Sequence, residues 1–270
     1  MLIRVGYEIA FSFPQPTAMV VLLYVHPSLA WTLRTPERFE VEPRVPVSEF
    51  VDSFGNRCGR LFVPAGRLVL RNDATVEDSG QPDPQAWNAP QHDVQDLPNE
   101  VLLFLLASRY CEVDSELKDL AGTLFNSTPP GWPRVQSICN FVHQHIRFDY
   151  QQARANRTAL EAFRERTGVC RDYTHLAITL CRCMNIPARY CTGYLGDIGV
   201  PPSSDPMDFS AWFEAYLGGT WYAFDPRNNV PRIGRVLMAR GRDAADAALT
   251  TTFGVNQLDS FNVWASEVSG

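Results

Sequence analysis

The 270-residue sequence predicts an α+β protein in which a β-rich N-terminal part precedes helices and a second set of antiparallel strands. Three observations predict this fold class. Apolar and polar residues alternate through much of the first 72 residues, as in half-buried strands. From Glu100 to Met184 apolar residues recur with a helical period of about 3.6. After Ala188 the alternation returns, interrupted by Gly218-Gly219, a pair typical of a tight hairpin.

The N-terminal strands are expected to be short and separated by turns. Residues 3–9 and 39–45 alternate, and residues 20–25 form a β-rich run. Turn residues in Asp52–Asn56 lead into further β-rich runs. Short strands at this spacing predict a β-sandwich or barrel, which we assign to residues 1–85 as an N-terminal domain.

Residues 86–99 are predicted to link this domain to a second one at 100–270. The surrounding sequence is rich in Pro, Asp, Gln and Asn and poor in apolar residues, as domain boundaries often are. Beyond it, Thr158-Ala-Leu-Glu161 has the form of a capping box at a helix start. Five helices are expected, beginning near Val101, Glu112, Pro133, Thr158 and Cys170.

Composition argues against a nucleic-acid-binding or membrane-spanning protein. The net charge is -6, and no apolar run approaches the roughly 18 residues of a membrane span. Seven cysteines, an odd number, fit a reduced compartment. The first residues alternate like a strand and lack the apolar stretch of a signal peptide, so a cytoplasmic location is expected.

One predicted helix carries four side chains of metal-ligand type. At about 100° per residue, only the first and third of them share a helix face, so one ion cannot bind all four. No metal or organic cofactor is expected. The four are Cys170, His175, Cys181 and Cys183.

Cys170 is a candidate nucleophile because Gly168 breaks the preceding element and a helical apolar pattern follows. A thiol in the first turn of a helix lies near unpaired N–H groups, which favour the thiolate. This predicts a reactive cysteine of lowered pKa. The alternative is a buried cysteine that only fills the core.

The predicted hairpin brings two more candidates together. If Gly218-Gly219 forms a two-residue turn, Trp212 lies opposite Asp225, and Ser210 becomes a diagonal neighbour of Asp225. Asp208 then shares the sheet face of Ser210.

The order of these segments resembles the transglutaminase-like superfamily, and more narrowly its bacterial cysteine peptidases. The resemblance rests on Gly-Val-Cys-Arg-Asp opening a helix, on Ile-Pro-Ala-Arg-Tyr after it, and on Trp-Phe-Glu leading to Phe-Asp-Pro-Arg-Asn. It implies a β-rich N-terminal domain before a papain-like core, in which helices pack on an antiparallel sheet. It also implies a peptide or protein substrate and, as pathway partners, ATP-grasp ligases.

The resemblance places the catalytic nucleophile at Cys170 and the orienting carboxylate at Asp225. The family's histidine, the general base, falls on Ser210, so the sequence departs from the family there. A hydroxyl cannot serve as a general base near neutral pH. Trp212 and Asp172 are expected to line the substrate cleft, with packing and helix capping as their respective alternatives.

Three interpretations of Ser210 remain open at this stage: an impaired cysteine hydrolase, a pseudoenzyme that binds a peptide or protein partner in its cleft, and a serine introduced to trap substrate. Another histidine is a weak substitute. His175 lies about 140° around the helix from Cys170 and is expected to be packed, while His143 and His145 stay open as alternatives. The remaining histidines, expected at the surface, are His26 and His92.

Overall fold

The structure, a computed structural model, describes residues 1–203 and 206–268. The N-terminal strands are β1 (Leu2–Phe13), β2 (Thr17–Val21), β3 (Glu40–Glu42), β4 (Val47–Val51), β5 (Arg57–Val63) and β6 (Gly66–Glu77). The later strands are β7 (Arg147–Phe148), β8 (Thr167–Gly168), β9 (Ala188–Leu195), β10 (Ser210–Leu217), β11 (Thr220–Phe224), β12 (Arg235–Gly241), β13 (Thr250–Thr252) and β14 (Gln257–Glu267). The α-helices are α1 (Asn99–Leu102), α2 (Leu117–Phe125), α3 (Trp132–His145), α4 (Ala159–Glu165) and α5 (Cys170–Cys183).

Two four-stranded antiparallel sheets make up the β-rich part. Their strand orders are β14-β1-β6-β3 and β13-β2-β5-β4. Alternate residues of β1 and β2, such as Ile3, Tyr7 and Met19, are fully buried in one core shared by both sheets. This is the two-sheet packing that the alternating pattern predicts, and the α+β fold class is confirmed.

The last strands return to the N-terminal sheets. β14 pairs with β1 through most of its length, and β13 pairs with β2. The division into domains at 1–85 and 100–270 stays a prediction, but strand pairing places β13 and β14 in the N-terminal sheets. The sequence gives no sign of this, because pairing between strands more than 200 residues apart has no local signature.

The third sheet, ordered β11-β10-β9-β12, carries α5 on one face. The Gly218-Gly219 turn has the predicted register, with Phe213 opposite Phe224. Ala211 and Phe213 of β10 face the core that contains α5, whereas Trp212 faces away from it. Side chains at the start of β10 therefore lie beside the first turn of α5.

The predicted helices form with shifted ends. The capping box of Thr158 and Glu161 is present, but α4 ends at Glu165, because Arg166 adopts a left-handed conformation (φ 54°). In the described part of the chain, no helix is long and apolar enough to cross a membrane.

Candidate functional site

Cys170 is the first residue of α5 and lines a surface groove of about 840 Å³. One wall is apolar and includes Phe11, Phe209 and Phe261. Three arginines also line the groove, so an anionic or amphipathic ligand would be favoured there. They are Arg109, Arg154 and Arg171.

The start of α5 is fixed by Asp172. Its Oδ2 accepts a hydrogen bond from the Val169 N–H (2.9 Å) and pairs with Arg157 Nη1 (2.8 Å). A Cβ on Gly168 would lie 2.6 Å from the same carboxylate, so only glycine fits there. The Asp172 side chain is completely buried. Its predicted place in the substrate cleft is therefore wrong, whereas the alternative, helix capping, is what the structure shows.

Trp212 does not line the cleft either. It is 2% exposed and packs against Cys191 and Leu237 on the sheet face away from α5. The guanidinium of Arg235 lies 5.1 Å from its ring centroid. The prediction is wrong because strand alternation turns Trp212 away from the face that Cys170 occupies.

Asp225 follows β11 and is held by four donors. Oδ1 accepts from the N–H groups of Arg227 (3.1 Å) and Asn228 (2.9 Å). Oδ2 accepts from Asn228 Nδ2 (2.7 Å) and Arg235 Nη2 (3.0 Å). Burial alone would raise the pKa of Asp225, but Arg235 and Asn228 outweigh it and hold the pKa below its ordinary value. A carboxylate offers about four acceptor positions, so Asp225 is saturated.

Ser210 opens β10, and its carbonyl oxygen accepts from Thr192 Oγ1 (2.9 Å). Among the described residues, its hydroxyl makes no hydrogen bond to Asp225. It lines a second cavity of about 380 Å³, together with Tyr150 and Arg227. Ser210 therefore does not bridge the nucleophile and the carboxylate.

Asp208 lines both the groove of Cys170 and the cavity of Ser210. Within the described ranges, no arginine, lysine or histidine forms an ion pair with it. Burial raises its pKa above the ordinary value of 3.8, and the N–H of Phe209 offsets this in part. Asp208 is thus a half-buried carboxylate in the candidate site that has no ion-pair partner among the described residues, a combination that marks functional groups.

The pKa of the Cys170 thiol is raised to about 12. Burial of the sulfur is the largest cause and the charge of Asp208 adds to it, while the Ala211 N–H and Arg227 act in the opposite direction. The prediction of a lowered pKa is wrong, because lost solvation outweighs the helix dipole. The thiol keeps its proton at neutral pH.

None of the five histidines contributes to the pKa of the thiol. His175 is completely buried, and its Nε2 accepts from the Ala244 N–H (3.1 Å). Burial lowers its pKa well below the ordinary value, so it is neutral. The packed role expected for His175 is confirmed.

The other histidines also have structural contacts. His143 Nδ1 lies 3.0 Å from the Arg227 carbonyl oxygen, and His145 Nε2 lies 2.7 Å from that of Phe163. His26 is 2% exposed, so its predicted surface position is wrong. No imidazole occupies the general-base position.

Sequence reasoning missed several members of the site. From the sequence, Asp208 is predicted only to share the sheet face of Ser210. The alternation of residues along the predicted strand is therefore the signal that points to Asp208. Asn228 follows an Asp-Pro pair, where turn chemistry favours a side chain that bonds back. Arg235 has no local signal, since its partners Asp83 and Asp225 are distant in sequence.

The described residues contain no group of three or more His, Cys, Asp or Glu side chains that could hold a metal ion. Cys181 is completely buried in the core around α5, and Cys183 is half-buried against it.

The chain is similar to curated proteins of mycobacteria. An uncharacterized protein of Mycobacterium leprae is 36% identical over 95 residues, which are 34% of this chain and 33% of that protein. An uncharacterized protein of Mycobacterium tuberculosis is 25% identical over 216 residues, 72% of this chain and 68% of that protein. The match thus spans only a third of the M. leprae relative's length.

Comparison with protein families and solved structures is more informative. The family model of the transglutaminase-like superfamily matches residues 118–226, from α2 to the turn after β11. A candidate cysteine protease from Cytophaga hutchinsonii has a similar structure, with a TM-score of 0.85 and 30% identity. The similarity covers 100% of this chain and 91% of that one. Together with the geometry of α5, β10 and β11, these matches show that the chain belongs to the transglutaminase-like superfamily.

Proposed function

We propose that this protein is a cysteine hydrolase that cleaves a peptide or isopeptide amide through an acyl-enzyme on Cys170. The observation that carries the proposal is the place of Cys170, partly exposed at the first turn of α5 and lining a groove of about 840 Å³. A groove of this size suits a short peptide segment. A helix start presents N–H groups without intrahelical partners, and such groups suit the oxyanion that forms during acyl transfer.

The reaction is expected to be slow. A thiol with a pKa of about 12 contributes almost no thiolate at neutral pH, and Ser210 cannot accept its proton. Asp225 cannot compensate, because its two oxygens already accept four hydrogen bonds.

The same facts favour a second candidate function, a pseudoenzyme that binds a peptide or protein partner in the groove without turnover. The protonated thiol and the missing imidazole support it. The unpaired carboxylate of Asp208 speaks against it, because a buried charge without a partner is costly to keep in a site that does no chemistry.

Restoring an imidazole tests whether the missing base limits the rate of hydrolysis. An imidazole at position 210 needs an acceptor on Asp225, so we pair Ser210→His with Asn228→Ala, which frees a position on Oδ2. We expect the double variant to hydrolyse peptide p-nitroanilides about 10²- to 10⁴-fold faster than the parent. Ser210→His alone should gain less, and Asn228→Ala alone should gain nothing.

Cys170→Ala, made in the parent and in the double variant, should abolish turnover in both. Calorimetric titration with the same peptides reports binding separately. If the parent binds peptides but shows no turnover that depends on Cys170, the hydrolase proposal fails and the pseudoenzyme stands.

A further inference from the structure

We propose that Asp208 takes the place of the missing imidazole, exchanging protons with Cys170 and with the leaving amine. This inference rests on the proposed hydrolase function and names the residue that makes it work without a histidine. The sequence alone pointed to no such group.

The first support is position. Asp208 immediately precedes Phe209 and β10, and it is the acidic residue that lines both cavities of the site. Among charged groups, it has the largest effect on the Cys170 thiol, ahead of Arg227 and Asp225. Asp208 also lines the same groove as Cys170, whereas Asp225 is not among the residues that line it.

The second support is the state of the carboxylate. Asp225 is neutralised by Arg235, whereas no cation in the described ranges pairs with Asp208. Burial disfavours its charged form, so it accepts a proton more readily than an exposed aspartate does. A base is more effective as its proton affinity approaches that of the group it serves.

The third support is the environment of the sulfur. Proton transfer from the thiol to Asp208 moves one negative charge between two neighbouring groups and creates no new one. Arg227 and the Ala211 N–H both favour negative charge on the sulfur. The site thus contains a proton acceptor and two groups that stabilise the resulting thiolate.

The proposed cycle balances. The Cys170 proton passes to an Asp208 oxygen as the sulfur bonds to the amide carbonyl carbon. The C–N bond then breaks, and protonated Asp208 delivers its proton to the departing nitrogen. Water attacks the thioester, giving one proton to Asp208, and that proton returns to sulfur when the C–S bond breaks. The products are a carboxylic acid and an amine.

The alternative is that Asp208 acts only through its charge. The two roles predict opposite changes in the rate of amide cleavage when Asp208 is replaced by Asn. Asp208→Asn removes a negative charge that raises the pKa of the thiol, so alkylation of Cys170 by iodoacetamide should become faster in either case. If Asp208 also carries protons, amide cleavage should fall by about 10²-fold or more. A p-nitrophenyl ester needs no proton on its leaving group, so it should be affected less.

The experiment measures three rates in the full chain: alkylation, turnover of acyl p-nitroanilides, and turnover of p-nitrophenyl esters with the same acyl groups. Variants are Asp208→Asn, Asp208→Glu and, as control, Asp119→Asn. Asp119 lies on α2 and lines neither cavity of the site. We expect the amide-to-ester ratio to fall in Asp208→Asn, to recover partly in Asp208→Glu and to stay unchanged in the control.

An unchanged ratio in Asp208→Asn, with turnover that still depends on Cys170, overturns the role of Asp208 and leaves the hydrolase intact. Absence of any Cys170-dependent amide turnover in the parent overturns both, because a proton acceptor that supports no reaction has not replaced the histidine. A midpoint of urea unfolding no lower than that of the parent shows that Asp208→Asn is folded, so a loss of amide turnover is then not a loss of structure.

Discussion

The two carboxylates beside Cys170 differ in almost every property. Asp225 accepts four hydrogen bonds, pairs with Arg235 and has a lowered pKa. Asp208 has no ion-pair partner among the described residues and a raised pKa. The ion pair and hydrogen bonds hold Asp225 in its charged form, whereas no ion pair holds Asp208 in its charged form. Retention of the family's aspartate at Asp225 therefore does not by itself preserve its catalytic role.

The difference has a structural origin. Among the described residues, the Ser210 hydroxyl makes no hydrogen bond to Asp225. Asn228 and Arg235 supply the donors instead, so the turn after β11 is fully satisfied without a histidine. We propose that Asp208, which lies just before β10, exchanges protons with Cys170 instead.

The largest effect that tests this comparison is expected from Arg235→Met. The Arg235 side chain is 8% exposed and pairs with Asp83 (2.9 Å) and Asp225 (3.0 Å). Its loss therefore leaves two buried carboxylates without their ion-pair partner. We expect the free energy of unfolding to fall by about 3–5 kcal/mol, measured by urea denaturation at pH 7 under reducing conditions. Arg4→Met, which breaks the exposed pair with Asp73, should cost less than about 1 kcal/mol. Equal losses in the two variants would show that the Asp225 network is not structural.

Asn substitutions at the two carboxylates should shift stability in opposite directions at pH 7. Asp225→Asn should cost about 2 kcal/mol, because charged hydrogen bonds are lost while Asp83 still pairs with Arg235. Asp208→Asn should gain about 1 kcal/mol, as relief of a strained functional site often does. Urea unfolding measures both changes in free energy. A loss of stability in Asp208→Asn would mean that another group in the folded protein compensates the charge of Asp208.

The pH dependence of these two effects differs in sign. The folded-state pKa of Asp208 is raised, so its cost is present at neutral pH and disappears as pH falls through that pKa toward 3.8. The folded-state pKa of Asp225 is lowered, so its contribution is present above 3.8 and is lost only below it. The advantage of Asp208→Asn should therefore vanish on acidification before the disadvantage of Asp225→Asn does.

Local features of this comparison were predictable from the sequence. The Gly218-Gly219 turn sets the register of β10 and β11, because a two-residue loop leaves one pairing. The position of Cys170 at a helix start follows from Gly168 and the apolar pattern after it. The Thr158 capping box likewise depends only on neighbours.

The parts that decide function were not predictable in this way. Arg235 reaches Asp83 across 152 positions, and β14 reaches β1 across most of the chain. The pKa of Cys170 depends on how deeply the sulfur is buried, which helix position does not reveal. Burial and long-range pairing arise from the assembled fold, so the sequence suggested a thiolate where the structure has a thiol.

The smallest effect is expected from Ser210→Ala. This variant tests whether the Ser210 hydroxyl links Asp225 to the groove that Asp208 lines. In the described part of the chain, the Ser210 hydroxyl makes no hydrogen bond to Asp225, and Thr192 bonds only to the backbone of Ser210. Removing the hydroxyl should change the free energy of unfolding by no more than about 0.5 kcal/mol, measured by urea denaturation beside Asp225→Asn. A loss of about 2 kcal/mol, matching that of Asp225→Asn, would show that the serine links the turn after β11 to the groove. The separation between a structural and a reactive carboxylate would then have to be abandoned.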